Sequence, residues 1–327
     1  MDVEQLRQRK QAIVEQYGPW TAYNIRLAGD LYTGGLEVYP VRLRRVLQIV
    51  NDLMPGPLTG LRVLDLACLE GLYALEFALH GAEAVGIEGR EPNVAKARFA
   101  QEILGLTNVK FHQDDVRHLS RAEYGEFDVV LALGILYHLD APDVFDFMAN
   151  VADTCRRLAI IDTHISVAAK ESAAWRGRTY WGRSILEHHA HTTREQRLKS
   201  LWASLDNPKS FWLTRASLYN LLRHVGFTSV YECHNPQIIT NADRITLVAV
   251  KGQPAEVRTT PLLTGFPEQD WPENLKLSLH PSQDILENPP PPPAPPPPAP
   301  RWRRALRVLG KPFPRRVRER VKRLLSL

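Results

Sequence analysis

The chain has 327 residues, of which 44% are hydrophobic, so it can hold one large domain with extensions and a substantial core. Its net charge of +5 is uneven: residues 301–327 hold eleven Lys or Arg and one acid, leaving a body with a net charge of −5, which disfavours binding to a nucleic-acid backbone. Three scattered cysteines exclude a disulfide framework, and the absence of a signal-peptide core or a long apolar run favours a cytoplasmic protein.

Residues 1–60 are predicted to form a helical cap on the domain that follows. The apolar residues within 41–54 recur at helical spacing and lead into the first strand of that domain. Between the helices lies a stretch rich in aromatic and small residues, including Trp20 and Tyr23. Such a loop either closes over a pocket or packs against the main domain, and both alternatives stay open here.

A strand, a tight turn and a helix follow at residues 61–79. Apolar residues around Asp65 predict a buried parallel strand, and residues 73–79 have helical spacing. The next predicted strand, at 84–87, is followed directly by Glu88, about 20 residues beyond the turn. A carboxylate at that place in a βαβ unit binds ribose hydroxyls, so Glu88 predicts a cofactor that contains a nucleoside.

This stretch resembles the first motifs of the class I S-adenosylmethionine-dependent methyltransferases, in which an acid precedes alternate glycines and a second acid closes the next strand. The acid here is Asp65, and the glycine positions hold Ala67, Leu69 and Gly71. Leu69 departs from the pattern where the turn approaches the carboxypropyl end of the cofactor. The resemblance implies S-adenosylmethionine as cofactor, bound by Asp65, Ala67, Gly71, Glu88 and Gly89.

The third and fourth predicted strands supply the other cofactor positions. In the class I family an acid just after the third strand holds the adenine amino group, and Asp115, followed by Val116, occupies that place. The alternative for Asp115 is a cap on the next turn. The fourth strand is a continuous apolar run that begins at residue 127 and breaks near its carboxyl end, where open α/β sheets bind ligands. Leu133 and Gly134 are therefore predicted to flank the methionine part of the cofactor.

Tyr137 and His138 follow this strand directly. The local sequence, GILYHL, resembles the GVLYH stretch of the tRNA wobble-uridine carboxymethyltransferase-like (DUF1698-type) group. We predict that His138 is the general base for a hydroxyl acceptor, with Tyr137 beside it, because histidine has an ordinary pKa of about 6.5. Two alternatives remain: the pair closes the pocket in a structural role, or His164 is the base.

The pattern as a whole predicts an α/β fold, namely a Rossmann-like, seven-stranded, mostly parallel sheet with helices on both faces. Its last two strands are expected to be antiparallel, as in the family that the chain resembles. We assign this methyltransferase domain to residues 61–252. Within it, the alternation of strands and helices stops at 163–213, an insertion on the substrate side. No metal site is predicted, because the insertion's three histidines lack carboxylate or cysteine companions at ligand spacing: His188, His189 and His191.

The remainder of the chain loses this periodicity. Residues 253–288 are predicted to be an irregular linker, and 289–300 contain ten prolines, which favour a polyproline II spacer. Residues 301–327 carry two short cationic amphipathic stripes. An anionic membrane surface is the predicted partner of this tail. The alternatives are an acidic groove of a partner protein, an RNA backbone, or no specific partner.

These features together predict a cytoplasmic methyltransferase tethered at the inner membrane face by its tail. Its acceptor is expected to be an oxygen of a small or lipid-linked molecule such as a sugar, methylated by in-line transfer. A tRNA wobble-uridine modifying enzyme is an alternative that the acidic body disfavours. A non-catalytic adaptor that uses the polyproline segment and the basic tail is a second alternative, kept open by Leu69.

Overall fold

The computed structural model describes residues 2–34, 40–234 and 243–253. The predicted polyproline spacer and basic tail, and nearly all of the predicted linker, lie outside these residues. Within the described part of the chain, no helix is both long enough and apolar enough to cross a membrane.

The described residues form eight α-helices and twelve β-strands. In chain order they are α1 (Val3–Tyr17), β1 (Arg26–Ala28), β2 (Leu31–Tyr32), α2 (Pro40–Leu53), β3 (Arg62–Leu66), α3 (Leu72–Leu79), β4 (Glu83–Glu88), α4 (Glu91–Ile103), β5 (Val109–Gln113), α5 (Arg121–Tyr124), β6 (Phe127–Leu133), α6 (Asp143–Thr154), β7 (Cys155–His164), β8 (Glu171–Trp175), β9 (Arg178–Leu186), α7 (Arg194–Lys199), β10 (Lys209–Leu213), α8 (Arg215–His224), β11 (Ser229–Cys233) and β12 (Arg244–Val250). Two short 3-10 turns lie at Val116–His118 and Leu136–His138.

Seven strands form the central sheet, in the order β11-β12-β7-β6-β3-β4-β5. The contacts among β3 to β7 are parallel, whereas β12 runs antiparallel to both of its neighbours, β7 and β11. The predicted fold class is therefore confirmed. The strand order reverses between β3 and β6, and open α/β sheets bind ligands in the crevice at the carboxyl ends of such strands.

Hydrophobic cores lie on both faces of this sheet. Successive residues of a strand point to opposite faces, so Leu64 and Val130 belong to one core while Val63 and Val129 belong to the other. Helices α3 and α4 pack on the face of Val63, and α6 and α8 pack on the face of Leu64. Both faces of β3 and β6 are thus buried, which explains their continuous apolar sequence.

The sequence predicted a helical N-terminal cap, but the cap also contains two short strands. Between α1 and α2, the short strands β1 and β2 form an antiparallel hairpin. Trp20 and Tyr23, just before it, are buried against rings of the main domain: Trp20 lies 5.8 Å from Phe99, and Tyr23 lies 6.0 Å from Tyr73, between ring centroids. The loop therefore packs against the main domain, and its Tyr23 also borders the cavity described below.

The insertion is more regular than its sequence pattern predicted. Strands β8, β9 and β10 form a separate three-stranded antiparallel sheet. The turn between β8 and β9 consists of two residues, Arg176 and Gly177, with φ values of 47° and 76°. Positive φ at both central residues is the geometry that two-residue hairpins favour, because its twist matches that of the strands. The hairpin went unpredicted because arginine rarely occupies the first of these positions.

Candidate active site

A cavity that opens to solvent lies at the carboxyl ends of β3, β4 and β6. Its wall combines the central sheet, the N-terminal cap and the insertion. The lining residues are Tyr23, Arg42, Ala67, Leu69, Glu88, Gly89, Arg90, Asp115, Val116, Arg117, Leu133, Gly134, Ile135, Tyr137, His138, Leu139, Leu201, Trp202, Ala203, Ser204, Leu205, Asn207 and Arg244.

The structure brings most of the predicted site residues to this one cavity. Asp65 and Gly71 do not line it: both are buried beside it. Burial raises the pKa of the Asp65 carboxyl group to about 7, and its Oδ2 accepts a hydrogen bond of 3.3 Å from the backbone N–H of Ala74. The predicted site residues that line the cavity are Ala67, Glu88, Gly89, Asp115, Val116, Leu133, Gly134, Tyr137 and His138.

The turn after β3 keeps a glycine-like backbone although two of its three glycine positions hold other residues. Ala67 and Leu69 have φ values of 52° and 49°, in the left-handed region that costs a non-glycine residue about 1 kcal/mol or more. At Gly71, φ is 85°, and an added Cβ atom would lie 2.8 Å from the Phe111 ring and 2.9 Å from Cβ of Ala97. Gly71 is therefore required for helix packing, while Leu69 turns its side chain to the cavity wall.

Glu88 is a buried carboxylate whose surroundings suit a ribose. Its Oε1 accepts hydrogen bonds from the backbone N–H of Arg90 (2.9 Å) and from Nδ2 of Asn93 (3.3 Å), and Oε2 accepts from the N–H of Leu69 (3.1 Å). Burial raises its pKa. Since a carboxylate oxygen has two lone pairs, Oε2 keeps a place for a hydroxyl donor. The residues present therefore fit the ribose of a nucleoside cofactor.

Asp115 lies on the cavity wall and also caps the 3-10 turn that follows it. Its Oδ1 accepts from the backbone N–H of Arg117 (2.9 Å), and the Arg117 side chain donates to both carboxylate oxygens. Arg117 pairs in addition with Asp206, at 2.9 Å, in the insertion. The capping alternative is thus realised, and binding of the adenine amino group by Asp115 stays a prediction.

The buried carboxylate of Glu70, in the turn between β3 and α3, fixes the N-terminal loop beside the cavity. Its oxygens accept hydrogen bonds from the backbone N–H groups of Thr21 (2.7 Å), Ala22 (3.0 Å) and Tyr23 (2.9 Å). Lys96 lies 3.8 Å from the same carboxylate and is itself buried. This arrangement explains how Tyr23, from the cap, comes to line a cavity built by the sheet.

Two arginines face the end of the cavity where Leu133 and Gly134 lie. Arg42 of α2 and Arg244 of β12 both contact Oδ1 of the fully buried Asp162, at 2.9 and 2.6 Å. Burial opposes ionisation of Asp162, but these two guanidinium groups hold the pKa of its carboxyl below the usual value. The cluster carries a net charge of +1, so it can attract a carboxylate such as that of an amino acid.

Residues 198–207, which we call the cover segment, close the cavity beside Glu88. Arg90, directly after Gly89, donates hydrogen bonds to backbone carbonyl oxygens of this segment. A Cβ atom added at Gly89 would lie 2.4 Å from Cδ1 of Leu205, so a larger residue here would require the Leu205 side chain to move. The acceptors of the Arg90 guanidinium are the carbonyl oxygens of Leu198 (3.1 Å), Ser200 (3.0 Å), Ala203 (2.8 Å) and Ser204 (3.3 Å).

The structure distinguishes the two candidate bases. His138 lines the cavity, and its Nδ1 lies 3.1 Å from both carboxylate oxygens of Glu187. His164 does not line the cavity: its Nδ1 faces Asp243 at 3.0 Å, and its Nε2 lies 3.5 Å from Nη1 of Arg244. Burial lowers the pKa of His164. Of the two imidazoles, only that of His138 borders the cavity.

Tyr137 connects the two histidines. Its ring lies 4.2 Å from that of His138 and 4.8 Å from that of His164, measured between centroids. Its hydroxyl group lies over Gly134, where an added Cβ atom would be 3.7 Å away. Burial raises the pKa of the Tyr137 phenol, so this group is a neutral hydrogen-bond donor at the cavity end of β6.

Sequence reasoning missed Glu70, Arg90 and Glu187. Each acts across a long sequence separation, so its partner could not be identified from spacing. Glu70 alone carried a local signal, because an acid stands where the family pattern alternates glycines with other residues. Of the three histidines of the insertion, His188 is buried with Nε2 2.9 Å from the carbonyl oxygen of Ser204, whereas His189 and His191 are exposed.

Comparisons with known proteins agree with this geometry. Residues 63–157 match a protein family described as "Methyltransferase domain". Over 129 residues, the chain is 27% identical to the ubiquinone biosynthesis O-methyltransferase of Acinetobacter baumannii, a match that covers 39% of this chain and 50% of that protein. Over the same length it is 30% identical to the magnesium-protoporphyrin O-methyltransferase of Rhodobacter capsulatus, with 39% of this chain and 55% of that protein covered. The chain thus spans about half the length of the curated relatives it matches.

A solved structure covers more of the chain. The N-terminal domain of EvdMO1, crystallised in the presence of S-adenosylhomocysteine and D-fucose, superposes with a TM-score of 0.61 at 26% identity. The match covers 77% of this chain and 98% of that domain. The strand order, the buried acid that ends β4 and the family match agree with one another. The chain therefore carries a methyltransferase domain of the class I S-adenosylmethionine-dependent superfamily, with S-adenosylmethionine as its cofactor.

Proposed function

We propose that this chain methylates a hydroxyl group of a sugar or of a small sugar-bearing molecule, with His138 as the general base. The observation that carries the proposal is the position of His138 on the cavity wall, in the short 3-10 turn that follows β6. A hydroxyl group is a weak nucleophile until its proton is removed, so an acceptor of this kind needs a base at that place.

The cofactor, when bound, supplies an electrophilic methyl group on a sulfonium centre. Glu88 binds the ribose, and the cluster of Arg42, Arg244 and Asp162 attracts the carboxylate of the methionine part. The His138 imidazole accepts the hydroxyl proton as the new oxygen–carbon bond forms and the carbon–sulfur bond breaks. In-line alignment of the hydroxyl oxygen with the methyl group is the main contribution of the protein.

A sugar acceptor is supported by a similar structure and by the chemistry of the cavity wall. The N-terminal domain of EvdMO1 was crystallised in the presence of D-fucose. In this chain, the residues that line the cavity include the aromatic Tyr23, Tyr137 and Trp202 together with the polar Asn207. Aromatic faces with a few polar groups suit a ligand that has both C–H faces and hydroxyl groups. Oxygen as the methylated atom agrees with the names of the curated relatives.

The test is a methyl-transfer assay on the full-length protein with S-adenosylmethionine and a panel of sugars that includes D-fucose. Mass spectrometry of the sugar and release of S-adenosylhomocysteine are the two readouts. We expect His138→Asn to lower kcat by about 10²- to 10⁴-fold, the usual contribution of a general base. His118→Asn is the matched control, because that ring is exposed and does not line the cavity.

The alternatives predict different outcomes. Binding of S-adenosylmethionine that is lost in Glu88→Ala, together with wild-type turnover by His138→Asn, would overturn the assignment of the base. Activity on tRNA but on no sugar would favour the wobble-uridine carboxymethyltransferase-like group, as would tighter binding of a carboxymethyl-bearing cofactor. A folded protein that binds no cofactor would favour the adaptor alternative.

A further inference from the structure

We propose that Glu187, at the end of β9 in the insertion, is a positioning residue that sets the tautomer and orientation of His138. This inference rests on the proposed function, in which His138 is the base. The two carboxylate oxygens of Glu187 lie equally far from Nδ1 of His138, at 3.1 Å. The two residues are 49 positions apart: His138 ends the 3-10 turn that follows β6, and Glu187 comes directly after β9 of the insertion.

A carboxylate can only accept a hydrogen bond, so Nδ1 of His138 must carry the proton that Glu187 binds. The lone pair of the neutral ring then lies on Nε2, the nitrogen left to take a proton from an acceptor hydroxyl. After that proton arrives, the imidazolium and the carboxylate form an ion pair. The side chains of His138 and Glu187 are 16% and 7% exposed, so solvent screens this pair only weakly.

The charge of Glu187 is maintained by its surroundings. Burial alone would favour the neutral acid, but the hydrogen bond from His138 and the backbone N–H of Ser204 hold the pKa of Glu187 below its ordinary value. Arg90 adds a positive charge that interacts with the same carboxylate. Tyr137 also packs against His138, and burial raises the pKa of its phenol, which keeps this group neutral.

The cover segment secures both members of the pair. The backbone N–H of Ser204 donates to Oε2 of Glu187 at 2.9 Å, and Nδ2 of Asn207 donates to the backbone carbonyl oxygen of His138 at 2.9 Å. The backbone N–H of Glu187 donates to the carbonyl oxygen of Pro208, also at 2.9 Å. The base is therefore correctly oriented when the cover segment lies over the cavity, and Arg90 fixes that segment next to the ribose site.

The first test reads the histidine directly and needs no acceptor. In full-length protein labelled with 15N histidine and saturated with S-adenosylhomocysteine, the ring nitrogen shifts of His138 report its tautomer and its titration midpoint. We expect the wild type to hold the proton on Nδ1. In Glu187→Gln we expect a midpoint lower by about one pH unit or more and a mixture of tautomers, because the ion pair is gone. Glu187→Asp should restore part of the wild-type behaviour.

The second test is kinetic and uses D-fucose as the probe acceptor. We expect Glu187→Gln to lower kcat with little change in KM for S-adenosylmethionine, and to move the acid limb of the kcat profile to lower pH. The effect should nearly vanish in a His138→Asn background. Glu76→Gln is the matched control, because Glu76 faces His80 at 3.4 Å on the surface of α3, away from the cavity.

An unchanged tautomer and midpoint of His138 in Glu187→Gln would overturn the inference. A loss of kcat that is equally large with and without His138 would do the same, because it would show a merely structural role. Failure of the proposed function is distinguishable: the ring shifts would still respond to Glu187→Gln while no sugar in the panel is methylated.

Discussion

The guanidinium group of Arg90 donates a hydrogen bond of 2.8 Å to the backbone carbonyl oxygen of Ala203, 113 residues away in the chain. Arg90 follows the buried acid Glu88 by two residues, and Ala203 belongs to the cover segment. The cover segment is thus attached to the turn that follows β4. Burial lowers the pKa of Arg90. Its carbonyl partners can only accept hydrogen bonds, so a side chain with several donors is needed to bind them together.

Replacing Arg90 should release the cover segment. We expect Arg90→Ala to weaken S-adenosylmethionine binding by about tenfold or more, because several hydrogen bonds from one charged group are lost. The segment at 198–207 should also become a site of rapid limited proteolysis. Titration calorimetry and protease digestion measure the two effects. Arg121→Ala, an exposed arginine paired with Glu126, is the control. Wild-type protease resistance in Arg90→Ala would contradict this account.

The strained turn after β3 predicts a stabilising substitution. Ala67 has φ of 52°, where glycine has no steric cost, so Ala67→Gly should raise the free energy of unfolding by about 0.5–1 kcal/mol. Ala74→Gly, within the regular helix α3, should lower it by about 1 kcal/mol or more. Urea unfolding of the two variants gives the comparison. If both variants lose stability equally, the left-handed backbone at Ala67 carries no cost.

The buried acid Asp65 should make stability depend on pH. Burial raises its folded pKa to about 7, against about 3.9 in the unfolded chain. Between these values the folded state binds more protons, so the free energy of unfolding contributed by Asp65 is complete below about pH 4 and falls until about pH 7. The total is up to about 4 kcal/mol, since one pKa unit corresponds to about 1.4 kcal/mol.

Asp65→Asn removes this contribution, so its urea-unfolding stability relative to wild type should rise as pH increases from 5 to about 7.5. Asp153→Asn, on the exposed surface of α6, should follow the wild-type curve at all pH values. A constant difference between Asp65→Asn and wild type across this range would show that Asp65 is ionised in the folded protein.

The basic tail leads to a prediction that rests on sequence alone. Residues 301–327 hold eleven Lys or Arg with two apolar stripes, and each basic residue near an anionic bilayer contributes about 1 kcal/mol. We expect the full chain to sediment with phosphatidylglycerol vesicles, less so at high salt, and not with phosphatidylcholine vesicles. Deletion of 289–327 should abolish this binding while leaving cofactor binding intact. Sedimentation that is unaffected by the deletion would place the membrane contact elsewhere.

Much of the fold was predictable because its strands are buried on both faces. The apolar runs at β3 and β6, and the acid that closes β4, indicated a parallel sheet and a nucleoside site without reference to distant residues. The cavity accordingly contains Glu88, Asp115 and His138, as the local pattern predicted. These features are encoded within stretches of ten or twenty residues, where periodicity carries the information.

The sequence by itself therefore determined the class of fold, the cofactor turn and the strand ends that face the cavity. Only the tertiary structure decided which histidine borders the cavity, because His138 and His164 both lie near the carboxyl end of a parallel strand. It also revealed Glu187 and Arg90, whose partners lie 49 and about 110 residues away. Hydrogen bonds between such distant residues depend on how the insertion folds back over the sheet. Local periodicity in the sequence carries no information about that arrangement.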